Sequence, residues 1–268
     1  MIANVLSIAG SDPSGGAGIQ ADLKAISANG AYAMAALTAL TAQNTQGVQG
    51  IHLVPADFVR DQIATVFADI RVDAVKIGMI ATAGIAAAVA DALAGHDMPI
   101  VLDPVMIAKG GAPLLQPDAI ETLRTRLLPR ATVLTPNLPE AAHLLGTDPA
   151  QTPEGMEAQA HALRALGPQA VLLKGGHLSG TESPDCLTTA SGTHWLKAPR
   201  TDTPNTHGTG CTLSAALAAQ LARGEALTDA ATAAKAYVAQ AIAAADTLSV
   251  GHGHGPTHHF ATLWSTQV

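Results

Sequence analysis

Six short runs of this chain are apolar almost without interruption, at 5–9, 32–37, 74–77, 100–103, 132–135 and 170–174. A strand with one wet face alternates apolar and polar residues, so runs like these are strands covered on both faces. Between them lie stretches with helical spacing, at 19–29, 56–67, 82–94, 118–128, 140–145 and 154–166. Strand and helix in alternation imply βαβ units and a mostly parallel central sheet between two helical layers, an α/β/α sandwich. After Lys174 the rhythm changes. Residues 185–190 and 193–197 bracket Ser191-Gly192 as a hairpin would, and two long alanine-rich helical segments follow at 211–223 and 229–247. No linker, low-complexity block or repeat interrupts the 268 residues, so 1–268 reads as a single domain.

Composition sharpens this. Charged residues are 13% of the chain, about half the usual ~25%, and hydrophobic residues are 48%. Such a chain buries a core and is not disordered. About a fifth of it is alanine and aromatics are 3%. Small side chains let helices approach the sheet closely. The net charge is −7, with no Lys/Arg cluster of the kind a nucleic-acid backbone demands. No membrane span or basic leader is visible, and Cys186 and Cys211 make no disulfide framework. The expectation is a cytoplasmic chain with neither nucleic acid nor membrane as partner.

In such sheets ligands bind beyond the carboxyl ends of the strands, and the residues there carry the chemistry. After the first strand comes Gly10-Ser11-Asp12-Pro13-Ser14-Gly15-Gly16-Ala17-Gly18, which is an anion cradle or a tight turn and matches neither the Walker nor the dinucleotide spacing. Asp22 follows it, one turn into a helix. Thr41-Ala42-Gln43-Asn44-Thr45 reads as a loop. The amide of Gln43 both donates and accepts, which suits the edge of an aminopyrimidine or similar ring, the alternative being an exposed loop amide. Asp103 ends a strand. Asn137 and Glu140 share one side of a helix start, where they suit Mg²⁺ or merely the helix dipole. Lysine is scarce, which makes Lys174, before Gly175-Gly176, a phosphate contact or a solvated strand end. The sharpest signal is Asn205-Thr206-His207-Gly208-Thr209-Gly210-Cys211 at the start of a long helix. Backbone amides of Gly208, Thr209 and Gly210 would stabilise a transferring phosphoryl group. Cys211, at a helix N-terminus, is expected to have a lowered thiol pKa and to serve as a base or polarising group toward a substrate hydroxyl, the alternative being a small buried filler beside glycines that only shape a turn. The histidines at 252, 254, 258 and 259 read as a packed or solvated segment rather than a metal site. Cys186 reads as core, and Lys109-Gly110-Gly111 as a candidate mobile turn.

Asn137-Leu138-Pro139-Glu140, Lys174-Gly175-Gly176 and Gly208-Thr209-Gly210 together resemble the ribokinase-like small-molecule kinases. Most sugar kinases of that superfamily place Asp after the anion-hole turn. Cys211 stands here instead, as in the vitamin-kinase branch. Within that branch the segments 8–20 (IAGSDPSGGAGIQ), 42–48 (AQNTQGV), 76–79 (KIGM), 134–141 (LTPNLPEA), 173–178 (LKGGHL), 205–216 and 250–260 (VGHGHGPTHHF) resemble the hydroxymethylpyrimidine/phosphomethylpyrimidine kinases over almost the whole chain. The resemblance implies a ribokinase-like fold, a homodimer, and no fused thiamine-phosphate synthase or thiaminase-like domain after 268. It implies that ATP phosphorylates 4-amino-5-hydroxymethyl-2-methylpyrimidine and then its monophosphate. It assigns Gln43 to the pyrimidine and Gly10, Asp22, Met79 and Val105 to the pocket lining. Cys211 would face the acceptor oxygen. Asp103, Asn137 and Glu140 would handle Mg²⁺ and phosphates, Lys174 the nucleotide, and Lys235 would reach the phosphates. Pyridoxal kinase, of the same branch and with the same cysteine, is the nearest alternative. A non-catalytic pyrimidine-binding module is the alternative of a different class.

Overall fold

The computed structural model describes residues 1–107 and 114–264. The Lys109-Gly110-Gly111 turn lies outside the described residues. Ten strands are present among the described residues: β1 Asn4–Ala9, β2 Tyr32–Leu37, β3 Ala39–Asn44, β4 Gly47–Leu53, β5 Ala74–Ile77, β6 Ile100–Leu102, β7 Val133–Leu134, β8 Ala170–Lys174, β9 Asp185–Thr189 and β10 Gly192–Leu196. Eight of them form one sheet in the order β10-β9-β8-β7-β6-β5-β1-β2, while β3 and β4 pair as a separate ribbon. From β2 to β8 every pairing is parallel, and β9 and β10 are antiparallel.

Successive residues of the parallel strands enter opposite cores, which is why their sequences show no polar alternation. Leu6, Ile8, Val75, Ile77, Leu102 and Leu173 pack on one face. Val5, Ala74, Val101, Val133 and Leu172 pack on the other. The first face is covered by α2 Ala56–Asp69, α3 Ala83–Ala92, α4 Pro117–Thr122, α5 Leu138–Leu145 and α6 Pro153–Arg164. The second is covered by α1 Gly18–Ala28, α7 Thr209–Ala222 and α8 Leu227–Ala243. The alanines concentrate in this second layer. Ala215, Ala216, Ala218 and Ala219 of α7 are all fully buried, so α7 lies between α1 and α8 directly on the strands. Among the described residues no helix is long and apolar enough to cross a membrane.

Two expectations differ from the structure. The helix expected over 118–128 is α-helical only to Thr122, then widens into a π turn over Leu123–Leu127 and tightens at Leu128–Arg130. Pro129 withholds the N–H that would continue the ladder and crowds the carbonyl four residues back. The loop expected at 41–45 belongs to the β3–β4 ribbon, whose register shifts between Ala42 and Gln43. Its residues are mostly exposed or half-buried, so it lacks the apolar run by which the sheet strands declare themselves.

Ala218→Leu should overpack the α7 layer and cost about 1–3 kcal/mol of unfolding free energy. Ala236→Leu on the exposed side of α8 should change stability by less than about 0.5 kcal/mol. Urea denaturation of both variants checks this.

Candidate active site

The loops following β1, β5, β6, β7 and β8 and the start of α7 open onto one cleft of about 1350 Å³. Gly10, Gln43, Met79 and Val105 line it, as do Asp103, Asn137, Glu140 and Lys174. Gly208, Thr209, Gly210 and Cys211 form its floor at the helix start.

The floor is built by close backbone approach. Gly208 caps α7 in the left-handed region, with φ +77°, and a Cβ there would lie 1.7 Å from the Gly16 carbonyl oxygen. The glycine-rich loop 10–18 is thereby pressed against the start of α7. Asp12 locks the contact. Its Oδ2 lies 2.8 Å from His207 Nε2 and accepts from Ala17 N at 2.8 Å, while Oδ1 accepts from Ser14 N and Oγ at 2.9 and 2.7 Å. Burial works against this carboxylate, but hydrogen bonds from His207 and Ser14 prevail and hold Asp12 down at about 2. The loop is thus both a tight turn and half of the site. At its other end a Cβ on Gly10 would stand 2.6 Å from Met79 Cε, so glycine is what lets Met79 lie over the cleft wall.

The charged residues arrive in pairs. Lys174 Nζ lies 2.8 Å from Asp103 Oδ1. Burial opposes its charge, yet Asp103 and Glu140 hold Lys174 above the usual lysine range. It borders the helix start, for a Cβ on Gly210 would be 3.2 Å from Nζ. Asn137 and Glu140 form a reciprocal capping box at α5. Asn137 Oδ1 accepts from Glu140 N and Glu140 Oε2 accepts from Asn137 N, both at 2.8 Å. Glu140 therefore serves the helix end whatever else it does. Burial, opposed by Lys174 and reinforced by Asp103, pushes its carboxyl up to about 7. Lys235 lines the cleft and is paired there, donating to Asp185 Oδ2 at 2.7 Å and to the Ser183 carbonyl at 2.8 Å.

Two assignments need correction. Asp22 does not line the cleft. It is fully buried and paired with Lys76 at 2.8 Å, because the helix turn that carries it faces the sheet rather than the strand ends. Lys76, which sequence reasoning passed over inside an apolar strand, is fully buried with it, behind the cleft wall. The Cys211 thiol is not lowered. Burial pushes it up to about 11, against the pull of Lys76 and a hydrogen bond from the Gly18 N–H. The helix start is real, but loss of water outweighs it.

His207, Asp12 and Lys76 are the site residues that sequence reasoning missed. His207 Nε2, whose proton is given to Asp12, lies 3.4 Å from the Gln43 amide nitrogen, and the ribbon is tied to the loop by Thr41 Oγ1, which donates to the Ser11 carbonyl at 2.8 Å. The histidine-rich segment 251–259 packs behind the floor. His207 N donates to the Gly255 carbonyl and His254 N to the Thr45 carbonyl. Thr212 Oγ1 donates to the Gly208 carbonyl at 2.9 Å and stands 3.1 Å from His259 Nε2. Burial, with Lys24 adding to it, lowers His259 to about 4, so it is neutral at pH 7.

Among the described residues no group of three or more His, Cys, Asp and Glu side chains gathers to cage a metal. The buried Glu140 carboxylate, with Asp103 near enough to raise it, fits a hard cation that keeps its waters and takes one or two carboxylates.

Gly208→Ala should break the contact between loop 10–18 and α7. The expected outcome is a loss of more than about 2 kcal/mol in stability, because the opposing atom is backbone and cannot yield. Turnover should fall with it. A thermal melt with a phosphorylation assay reads both.

A family model described as phosphomethylpyrimidine kinase matches residues 12–258. A Salmonella typhimurium hydroxymethylpyrimidine/phosphomethylpyrimidine kinase is 56% identical over 262 residues, covering 97% of this chain and 98% of that protein. A Geobacter sulfurreducens thiamine biosynthesis bifunctional protein is 49% identical over 257 residues, covering 96% of this chain and 52% of the relative. A pyridoxal kinase of Bacillus subtilis, solved as an ADP complex, superposes with a TM-score of 0.89 at 38% identity, covering 98% of this chain and 99% of that one. With a cleft at the strand ends, a glycine-shaped helix start and a match along nearly its whole length, the chain belongs to the phosphomethylpyrimidine kinase family.

Proposed function

We propose that this chain transfers the γ-phosphoryl group of ATP to the hydroxymethyl oxygen of 4-amino-5-hydroxymethyl-2-methylpyrimidine, and then phosphorylates the monophosphate, in thiamine biosynthesis. The observation that carries the reading is the single cleft in which the α7 helix start and the Gln43 amide face the same space. The amide complements the edge of the pyrimidine, and Gly10, Met79 and Val105 enclose the ring. The amides of Gly208, Thr209 and Gly210 meet the transferring phosphoryl group, where charge spreads over its oxygens. Lys174, held by Asp103, borders that point. Asn137 and Glu140 stand at the phosphate end. Mg²⁺, held by Glu140, would neutralise phosphate charge. We further propose a single domain over 1–268, a homodimer and a cytoplasmic location.

The two phosphorylations ask different things of Cys211. In the first, the alcohol oxygen bonds to the γ-phosphorus while the bond to the β-phosphate oxygen breaks, and the alcohol proton must leave. A sulfur facing that oxygen can take the proton once it has lost its own. In the second the acceptor is already an anionic phosphate and needs no base. Positioning does most of the work in both.

Cys211→Ala should therefore slow the first phosphorylation about a hundredfold or more and the second less than about tenfold. Product analysis of each step with ATP checks this, and equal losses would leave Cys211 a mere filler of the floor. Pyridoxal, the substrate in the name of the Bacillus neighbour, belongs in the same assay. The pyrimidine alcohol should be the faster acceptor.

A further inference from the structure

Lys76 and Asp22 form an ion pair whose two side chains are wholly sealed from solvent. Such a pair seldom stabilises a fold more than apolar residues of the same size, since both charges lose their water. This one is also incomplete. Asp22 Oδ2 accepts from Lys76 Nζ at 2.8 Å and from the Ser7 hydroxyl at 2.6 Å. Its Oδ1 is buried with no hydrogen-bond partner among the described residues. Packing alone does not account for a pair that leaves a carboxylate oxygen orphaned.

The pair reaches toward Cys211 through α1: Asp22 stands one turn after Gly18, whose N–H the sulfur receives. Cys211 borders the cleft while Lys76 lies sealed behind it, and each acts electrostatically on the other. The sulfur also sits between two helix starts, since it is the third residue of α7 and receives the N–H of Gly18, the first residue of α1. We propose that Lys76 is a positioning residue for Cys211: an ammonium fixed by Asp22, itself held by the Ser7 hydroxyl, that makes the sulfur able to exchange a proton with the acceptor hydroxyl. This rests on Cys211 facing that hydroxyl, as proposed above.

The groups that act on the sulfur come from four elements. Lys76 on β5 and Lys174 on β8 favour the thiolate, as does the Gly18 N–H of α1. Asp22 on α1 and Asp103 after β6 oppose it. Lys76 is the strongest of the charges. The proton balance is simple. The thiol releases its proton to solvent, the thiolate takes the alcohol proton as the oxygen bonds to phosphorus, and ADP leaves with the electrons of the broken bond.

The test is alkylation of Cys211 by iodoacetamide across a pH series, read on the Cys211 peptide by mass spectrometry so that the buried Cys186 does not intrude. Lys76→Met should slow alkylation at mildly alkaline pH about tenfold and move its midpoint up, while Lys76→Arg stays near the parent. Asp22→Asn should do the reverse, speeding alkylation and moving the midpoint down. Loosened packing would expose the thiol and accelerate both variants alike. Midpoints that move together, or a midpoint unmoved by either change, would overturn the proposal. Should Lys76→Met not fold, Asp22→Asn decides alone: its midpoint must fall. Alkylation needs no turnover, so failure here is distinct from failure of the phosphorylation reading, which the two-step assay detects.

Discussion

The site depends on one contact, the seating of loop 10–18 against the start of α7. Gly16 and Gly208 meet backbone to backbone there, and the Asp12–His207 hydrogen bond closes the joint across 195 residues of sequence. Two helix N-termini, those of α1 and α7, are thereby brought to one place. Each contributes backbone N–H groups that its own helix leaves unused. The β3–β4 ribbon is attached to the same joint through the Thr41 hydroxyl, which donates to the Ser11 carbonyl, and through Thr45, and the histidine-rich segment braces it from behind. The face that would recognise a pyrimidine and the floor that would meet phosphate are therefore joined by hydrogen bonds and close backbone contact.

Electrostatics follows from charge scarcity. A chain of net −7 attracts no nucleotide by overall field. The lysines in and behind the cleft wall among the described residues are each already paired, Lys76 with Asp22, Lys174 with Asp103 and Lys235 with Asp185. Pairing offsets the cost of burying each charge and fixes each ammonium before any ligand arrives. It leaves little net positive charge for a polyphosphate. Amides of the helix start, and a cation brought in with the nucleotide, must supply the difference.

Much of this was legible in the chain. Residues such as Leu6, Ile8, Val75 and Ile77 announce strands buried on both faces because their neighbours in sequence enter a second apolar core. The glycines at 208 and 210, opening a long apolar helix, announce a helix start shaped by close backbone approach, as the contact of Gly208 with the Gly16 carbonyl shows. Four things were not legible. Lys76 reads as a flaw in an apolar strand, and its partner Asp22 is 54 residues away. The state of Cys211 depends on burial, which no local pattern reveals, so a helix start that should lower a thiol pKa is outweighed. The ribbon carrying Gln43 has two largely wet faces and gives no apolar signature. His207 is visible in sequence, yet its role depends on Asp12, far away along the chain.

The central claim is that a pre-assembled joint places the acceptor hydroxyl between the Cys211 sulfur and the amides at the start of α7. It is tested most directly by a crystal structure with 4-amino-5-hydroxymethyl-2-methylpyrimidine and a non-hydrolysable ATP analogue bound together. The account predicts the ring on the Gln43 amide, the hydroxymethyl oxygen within hydrogen-bond reach of Cys211 Sγ, and the terminal phosphate on the amides of Gly208 to Cys211. A ring bound away from Gln43, or a hydroxymethyl oxygen turned from the sulfur and the helix start, would contradict it.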